Sequence, residues 1–177
     1  MLKYRENIYS QNGEDGILAE TFKRLKIKDG KACEFGAADG YWLSNIRALM
    51  DKGWEGIQFE AKNGQVITTK NVNEIVPIDL DLLSIDIDGN DYDVWKAYKG
   101  MPDVVVIEIN SSLDPSIDQF SPVTGANFSI MLKLAKSKGY FLLCHTGNLI
   151  FVLKKHKRLF PEAKGTDIDK FLNDWIQ

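Results

Sequence analysis

Carboxylates follow an apolar run in the stretch LLSIDIDGNDYDVW, residues 82–95. Paired carboxylates can hold a divalent cation, orient a hydroxyl group or take up a proton. Asp91 and Asp93 are typical of a first helical turn, where the helix dipole favours negative charge. Asp88 can cap the same helix. Asp86 ends the strand itself, so a helix cap does not explain it, and it is the strongest candidate for chemistry.

Two enzyme classes carry a motif of this kind. IDIDGND resembles the DxDG motif of haloacid-dehalogenase-type phosphatases, but that family also needs a downstream adjacent acidic pair, and none follows here. The DxD motif of metal-dependent glycosyltransferases binds Mn²⁺ and a sugar diphosphate. Asp86 and Asp88 have the hard oxygen ligands that this motif requires, so a sugar-nucleotide enzyme stays an open alternative.

A second polar pair, Glu108 and Asn110, ends the apolar run VVVIEIN. Alternation along a continuing strand places these two side chains on one face. If this strand neighbours the one that ends at Asp86, four side chains converge at the sheet edge: those of Asp86, Asp88, Glu108 and Asn110. Like charges so close repel unless they are protonated, paired or bound to a cation. We therefore predict a Mg²⁺ site formed by Asp86, Asp88, Glu108 and Asn110, with solvent-facing loop carboxylates as the alternative.

A glycine-containing turn, EFGAADG, ends an earlier strand. It lacks the GxGxxG pattern of dinucleotide sites, and Asp39 adds negative charge where a pyrophosphate would lie. Glu34 and Asp39 suit a cofactor with a positive amine instead. Glu60 ends the next strand roughly 20 residues later, where an acid binds ribose hydroxyls in nucleotide-binding α/β folds. An ordinary turn and an exposed loop glutamate are the alternatives.

The order of the predicted elements indicates an α/β fold. Short β-type runs alternate with helical patterns, which is typical of a mostly parallel sheet. YFLLCHTGNLIFVLKK adds a C-terminal antiparallel hairpin. Residues 1–30 form an N-terminal helical segment and residues 157–177 a C-terminal helical tail of the same single domain, 1–177. Ligands bind such sheets at the carboxyl ends of the strands, and His145 beside the hairpin turn is a candidate general base there.

The length, net charge, cysteine positions and apolar runs of the chain limit the classes of protein to which it can belong. The chain has 177 residues and a net charge of −3, which suits one domain and disfavours a broad nucleic-acid-binding face. Cys33 and Cys144 each lie in an apolar run, as expected of buried thiols. The polar beginning and the short apolar runs predict neither a signal peptide nor a membrane span, so we expect a cytoplasmic protein without a membrane partner.

Seven successive motifs together resemble FkbM-type S-adenosylmethionine-dependent methyltransferases: YSQNGEDGIL, EFGAADGYWLSNI, GWEGIQFEA, LLSIDIDGNDYDVW, VVVIEIN, GANFSIMLKLAKSKGY and GNLIFV. The resemblance implies a Rossmann-like methyltransferase sheet with S-adenosylmethionine in its cleft. It implies that Glu60 holds the ribose and that Asp86 lies beside the sulfonium and the substrate. The other cofactor-binding residues that it implies are Glu34, Gly36, Ala37, Asp39, Gly40, Ser44 and Asn45.

The chain departs from that family between two of the motifs. Asp86 follows Glu60 by only 26 positions, which leaves about 20 residues outside the intervening strand, enough for one helical crossover. We predict that the usual third strand and one helix are missing and that KNGQVITTKN replaces the residues flanking the adenine. The second strand then becomes a sheet edge, which a second copy of the chain can cover in a homo-oligomer.

The sequence thus predicts methyl transfer from S-adenosylmethionine to an oxygen of a small molecule or sugar, with Asp86, Asp88 and His145 as candidate catalytic residues. Two alternatives stay open. One is the metal-dependent glycosyltransferase, and the other is a non-catalytic remnant of the fold that serves as an interaction module.

Overall fold

A computed structural model of the chain describes residues 1–36, 38–60 and 64–163. Ala37 and most of the predicted C-terminal tail, from residue 164 onward, lie outside the described residues. The α-helices are α1 (Glu14–Leu25), α2 (Arg47–Met50), α3 (Val72–Ile75), α4 (Asp91–Ala97) and α5 (Phe128–Ser137). The strands are β1 (Lys31–Phe35), β2 (Glu55–Phe59), β3 (Leu82–Ile85), β4 (Val104–Glu108), β5 (Phe120–Ser121), β6 (Gly125–Ala126), β7 (Tyr140–His145) and β8 (Asn148–Leu153).

Six strands form one sheet in the order β2-β1-β3-β4-β8-β7. Strands β1 to β4 run parallel, β8 pairs antiparallel with β4, and β7 pairs antiparallel with β8. The predicted mixed α/β fold, with a mostly parallel sheet and a C-terminal antiparallel hairpin, is confirmed. Strand β2 lies at one edge, also as predicted. The short antiparallel pair β5–β6 forms a separate ribbon that the sequence did not predict.

The central strands of the sheet are apolar on both sides, and each face of the sheet is buried in its own hydrophobic cluster. Val105 and Ile107 of β4 pack with Trp95 of α4 on one face. Val104 and Val106 pack on the other face in the cluster that contains Ile17 of α1. A continuous β-branched run is what a strand buried on both sides requires. No helix among the described residues is long and apolar enough to cross a membrane.

Helix α2 is shorter than the pattern WLSNIRALMDKG predicts, and that prediction is corrected. Leu43 has a left-handed backbone, with φ of 66°, which a helix does not tolerate. The hydroxyl of Ser44 then accepts hydrogen bonds from the amides of Ile46 and Arg47 at 3.3 and 3.1 Å. The α-helix therefore begins only at Arg47. A 3-10 helix at Lys154–Leu159 occupies the described start of the predicted tail.

Candidate functional site

The turn after β1 requires a glycine, because the backbone that follows β3 lies directly against it. Gly36 has φ of 75°, and a Cβ atom there would overlap the carbonyl oxygen of Asp86. Its amide donates to the carbonyl of Phe59 at 3.0 Å. Two positions on, the amide of Ala38 donates to Oε2 of Glu60 at 2.8 Å. The ends of β1, β2 and β3 are thus held against one another.

A first cavity of about 530 Å³ opens at the carboxyl ends of these strands. This volume lies within the range of roughly 300–1,000 Å³ that is usual for small-molecule sites. The predicted residues Gly36, Glu60, Asp86 and Asp88 line it. Gln65, Val66, Ile67, Thr68 and Thr69 also line it, and they belong to the segment KNGQVITTKN that the sequence placed at the adenine. The lining residues that the sequence did not single out are Phe35, Ala38, Leu43, Phe59, Ile87, Asn90 and Val94.

Left-handed backbone at non-glycine residues is concentrated around this cavity. Four such positions occur in the part of the chain that the structure describes: Lys26, Ala38, Leu43 and Asp88. Lys26 ends α1, whereas the other three line the first cavity. Each of these conformations costs about 1–3 kcal/mol and persists only where its surroundings impose it, which is common at ligand sites.

Three of the predicted cofactor-binding residues belong to a buried polar network beneath the cavity and do not line it. Glu34 accepts from the Ser44 hydroxyl at 2.6 Å, the Asn45 amide at 2.6 Å and Nε2 of Gln58 at 3.0 Å. The side chain of Asn45 donates onward to Ser84 at 3.1 Å. Burial raises the pKa of Glu34 although these donors oppose the shift. Glu34, Ser44 and Asn45 therefore hold the turn in place, and none of the three lines the first cavity.

Asp39 and Gly40, also predicted to bind the cofactor, have local structural roles. The carboxylate of Asp39 accepts from the amides of Tyr41 and Trp42 at 2.9 and 2.7 Å, and these bonds lower its pKa. A Cβ atom on Gly40 would lie 2.9 Å from Oε1 of Gln58. Neither Asp39 nor Gly40 lines the first cavity.

Asp86, Asp88 and Glu108 form an acidic triad at the ends of β3 and β4. Ile85 pairs with Ile107 in parallel register, so the residues that follow them, Asp86 and Glu108, lie side by side. One carboxylate oxygen from each triad member lies within 4.8 Å of the other two. The sequence predicted this convergence from the position of the carboxylates at two strand ends.

Carboxyl oxygens of Asp86 and Glu108 lie within 4.8 Å of each other, so ionisation of one opposes ionisation of the other. Burial, together with the negative charges of Asp91 and Asp88, raises the pKa of Asp86 to about 6. Burial and the charge of Asp86 raise the pKa of Glu108 to about 8. A carboxyl pair of this kind retains one shared proton near neutral pH.

Asp88 reaches the triad through the turn between β3 and α4, and not as a member of the strand. Strand β3 ends at Ile85, and Asp88 has φ of 55°. Asp91, only 3% exposed, accepts from the amides of Ile87 and Gly89 at 2.9 and 3.0 Å. Asp91 was predicted as a first-turn acid, and it does begin α4, but its carboxylate also shapes the turn that presents Asp88.

Asn110 does not join the triad as predicted. Strand β4 ends at Glu108, so alternation does not extend to Asn110. Its Oδ1 accepts from the amide and hydroxyl of Ser112, at 3.0 and 2.5 Å, and its Nδ2 donates to the carbonyl of Thr124 at 2.8 Å. The predicted fourth metal ligand thus braces the loop after β4.

A second cavity of about 490 Å³ lies beside the first, between the end of β4 and the β5–β6 ribbon. Its lining residues are Asp88, Gly89, Asp91, Glu108, Ile109, Asn110, Ser111, Val123, Thr124, Gly125 and Ala126. Asp88 lines both cavities. Asp86 faces the first cavity and Glu108 the second, so the two adjacent carboxyl groups lie at the boundary between the cavities.

His145 lies at the same edge of the sheet but away from both cavities. It ends β7, which β8 separates from β4. Its surroundings include Glu14 and Arg5, and burial lowers its pKa. The neighbouring Thr146 hydroxyl donates to Glu14 at 2.6 Å. The structure therefore gives His145, the candidate general base, a position beside the N-terminus of α1, where it lines neither cavity.

The two cavities together form one cleft, and the ionisable side chains among its described lining residues are all acidic. The carboxylates of Glu60, Asp86, Asp88, Asp91 and Glu108 line it. Among the described lining residues there is no lysine, arginine or histidine. Such a cleft favours ligands that bring positive charge or hydrogen-bond donors, and it repels bare phosphates.

Sequence reasoning missed the contribution of Gln58 and of the β5–β6 ribbon. Gln58 lies on the edge strand, and its partner Glu34 is adjacent only after β1 and β2 pair. Each strand of the ribbon has two residues, too few for a periodic signal. Comparison of the sequence with models of known protein families gives no match, and comparison with curated proteins gives none either.

Proposed function

We propose that the protein is an S-adenosylmethionine-dependent methyltransferase that binds its cofactor in the first cavity and methylates an oxygen of a small molecule or sugar. The observation that carries the proposal is the acidic cleft at the carboxyl ends of β1 to β4, whose described lining residues include no basic residue. S-Adenosylmethionine brings a positive sulfonium and a positive amine against one carboxylate, so its net positive charge complements the described carboxylates Glu60, Asp86 and Asp88.

The ribose site in this proposal is Glu60. It ends β2, it lines the cavity, and it already accepts a hydrogen bond from Ala38 across the cavity floor. A carboxylate in this position can accept bonds from two ribose hydroxyls. Val66 and Ile67, from the segment that replaces the usual third strand and helix, supply apolar wall for the adenine.

The fold assigned under this proposal is a shortened Rossmann-like methyltransferase sheet. Three features support that assignment: the order of sequence motifs that resembles FkbM-type methyltransferases, the edge position of β2, and the antiparallel β7–β8 hairpin beyond β4. The open edge of β2 is also where we expect a second copy of the chain to pair, if the protein forms a homo-oligomer.

The chain has two tasks in methyl transfer: to align the reactants and to receive a proton. When bound, S-adenosylmethionine supplies an electrophilic methyl group that leaves its sulfur as the acceptor oxygen attacks. Asp86 faces the reacting methyl group from β3. Glu108 faces the acceptor, and a carboxylate oxygen of the Asp86–Glu108 pair takes up the proton that the hydroxyl loses. The products are a methyl ether, a proton on the enzyme and the neutral demethylated cofactor.

The acidic triad also suits a divalent cation, which would take the place of the shared proton. Asp86, Asp88 and Glu108 would hold Mg²⁺ through carboxylate oxygens, which are the ligands that it prefers. When bound, the ion lowers the pKa of a hydroxyl that contacts it. The same triad supports the second candidate function, a glycosyltransferase in which the metal carries a sugar diphosphate.

Calorimetric titration distinguishes these functions. The protein is titrated with S-adenosylmethionine and, separately, with UDP-glucose and Mn²⁺, each with EDTA or 5 mM MgCl₂ controls for the metal. We expect saturable heat with S-adenosylmethionine and none with the sugar nucleotide. Heat only with UDP-glucose and Mn²⁺ would establish the glycosyltransferase instead. Absence of heat with every ligand would overturn both and leave the interaction module.

A further inference from the structure

We propose that the second cavity is the acceptor site, that the β5–β6 ribbon is its specificity wall, and that the acceptor carries no phosphate, sulfate or carboxylate group. This inference rests on the proposed function, because it takes the first cavity as the site of the methyl donor. It goes further by assigning a chemical class to the molecule that is methylated.

The position of the second cavity suits the second reactant. It shares Asp88 with the first cavity, and the adjacent carboxyl groups of Asp86 and Glu108, one in each cavity, span the boundary between them. These two carboxyl groups end neighbouring strands, which lie roughly 4.8 Å apart. A hydroxyl bound at Glu108 is therefore within reach of a methyl group held near Asp86.

The ribbon is a preformed wall and not a loose loop. A Cβ atom on Gly89 would lie 2.5 Å from the carbonyl oxygen of Pro122, so the tip of the ribbon packs directly on the turn after β3. The rings of Tyr92 and Phe120 pack with centroids 4.9 Å apart. The buried Asn127 donates from Nδ2 to the carbonyls of two residues in the preceding loop, each at 2.5 Å.

The ribbon also supplies the groups that can discriminate among acceptors. Val123, Thr124 and Gly125 come from its tip and line the cavity opposite Glu108. Val123 is 89% exposed, so its side chain borders the entrance. Small and polar groups at these positions leave a wall that a compact hydroxylated or amino-bearing molecule can approach closely.

The charge of the cavity decides the acceptor class. Asp88 and Glu108 face it, while Asp91 is committed to the amides of the preceding turn. None of the described lining residues is basic, so an anionic group would find no positively charged partner among them. Hydroxyl and ammonium groups can donate to these carboxylates. The buried volume of about 490 Å³ suits a small molecule of this class.

The test is a nuclear magnetic resonance titration of the full chain with matched probes. Ethanolamine is compared with phosphoethanolamine, and glycerol with glycerol phosphate, while the amide signals of Gly89, Thr124 and Gly125 report on the second cavity. We expect the uncharged or cationic member of each pair to shift these signals with affinity about tenfold or more above its phosphorylated counterpart. Stronger shifts by the phosphorylated members, or no shift by any probe, would overturn the inference.

A matched pair of variants tests whether the probes bind in the second cavity. Glu108→Gln should weaken ethanolamine binding about tenfold, because the amide offers the ammonium group one acceptor oxygen where the carboxyl group offers two. Asp114→Asn changes an exposed carboxylate of the same loop outside the cavity and should leave binding unchanged. Equal effects of the two variants would contradict the site. S-Adenosylmethionine is added in a separate titration read at Gly36 and Ala38, so a failure of the proposed function is seen independently.

Discussion

Carboxyl oxygens of Asp86 and Glu108 lie within 4.8 Å of each other across the ends of two parallel strands, and each side chain faces a different cavity. The relationship follows from the register of β3 and β4, in which Ile85 pairs with Ile107. Two carboxyl groups so placed cannot both ionise easily, so one proton is shared between them. The pair thereby links the cavity assigned to the methyl donor with the cavity assigned to the acceptor.

The shared proton makes stability depend on pH. Folding raises the pKa of Glu108 to about 8, so the folded chain keeps a proton that the unfolded chain loses near pH 4.5. This stabilising contribution is complete below the unfolded pKa and is lost as the pH rises through about 8. In EDTA buffer we therefore expect Glu108→Gln to melt higher than the wild type at pH 9, but not at pH 5.

The expected difference at pH 9 is about 2–4 °C, which corresponds to about 1 kcal/mol for a chain of this size. The difference is this small because the two carboxyl groups are partly exposed and solvent screens their repulsion. Thermal unfolding from pH 5 to 9 measures it, with the exposed Glu74→Gln as the control. A wild type that is as stable at pH 9 as the variant would contradict the shared proton.

Glu60 should matter for cofactor affinity more than for folding. Glu60→Gln is expected to weaken S-adenosylmethionine binding about tenfold to a hundredfold, because a hydrogen bond to a charged group contributes roughly 1.5–3 kcal/mol. Glu55→Gln, an exposed change on the same strand, is the matched control. Calorimetry measures both. Equal affinity of the two variants would remove Glu60 from the ribose site.

Ser44 should show the opposite behaviour. Its hydroxyl donates to the buried Glu34 and does not line the first cavity. Ser44→Ala leaves one acceptor position of that carboxylate unpaired, so we expect a loss of about 1–3 kcal/mol in the free energy of unfolding. Cofactor affinity should stay within about threefold, well under the factor of ten that 1.4 kcal/mol represents. Urea unfolding and calorimetry on the same sample separate the two effects; loss of affinity at unchanged stability would restore Ser44 as a binding residue.

Gly36 and Gly53 form a second matched pair. Both have left-handed backbones, with φ of 75° and 99°, but a Cβ atom at Gly53 meets nothing within 4 Å while one at Gly36 overlaps Asp86. Gly53→Ala should cost about 1 kcal/mol from backbone strain alone. Gly36→Ala should cost clearly more, because β1 and β3 must separate. Similar midpoints in urea unfolding would show that the close contact between these strands is absent.

The sequence was sufficient to predict the features that depend on local pattern. Alternating strands and helices gave the mostly parallel sheet, and carboxylates at two strand ends gave the convergence of Asp86 and Glu108. The short connection after Glu60 gave the edge position of β2. Each of these follows from element order and spacing, which the sequence displays directly.

Other features depend on contacts that spacing does not encode. Glu34 has the residue type and the position of a cleft residue. It is buried instead, with donors from the turn before α2 and from Gln58 on the neighbouring strand β2. Asn110 leaves the predicted cluster because β4 stops two residues earlier. His145 lies two strands from β4, a separation set by the insertion of β8 between them. Tertiary packing, and not residue type, decides these roles.

The location of S-adenosylmethionine on the labelled full chain tests the central claim most directly. Amide signals are followed by nuclear magnetic resonance during titration with the cofactor. Binding in the first cavity predicts saturable shifts of Gly36, Ala38, Thr68 and Asp88, while Lys23 and Lys28 on the opposite side of the sheet stay unchanged. Shifts confined to other residues, or none at millimolar cofactor, would contradict the assignment of this cleft to a methyltransferase.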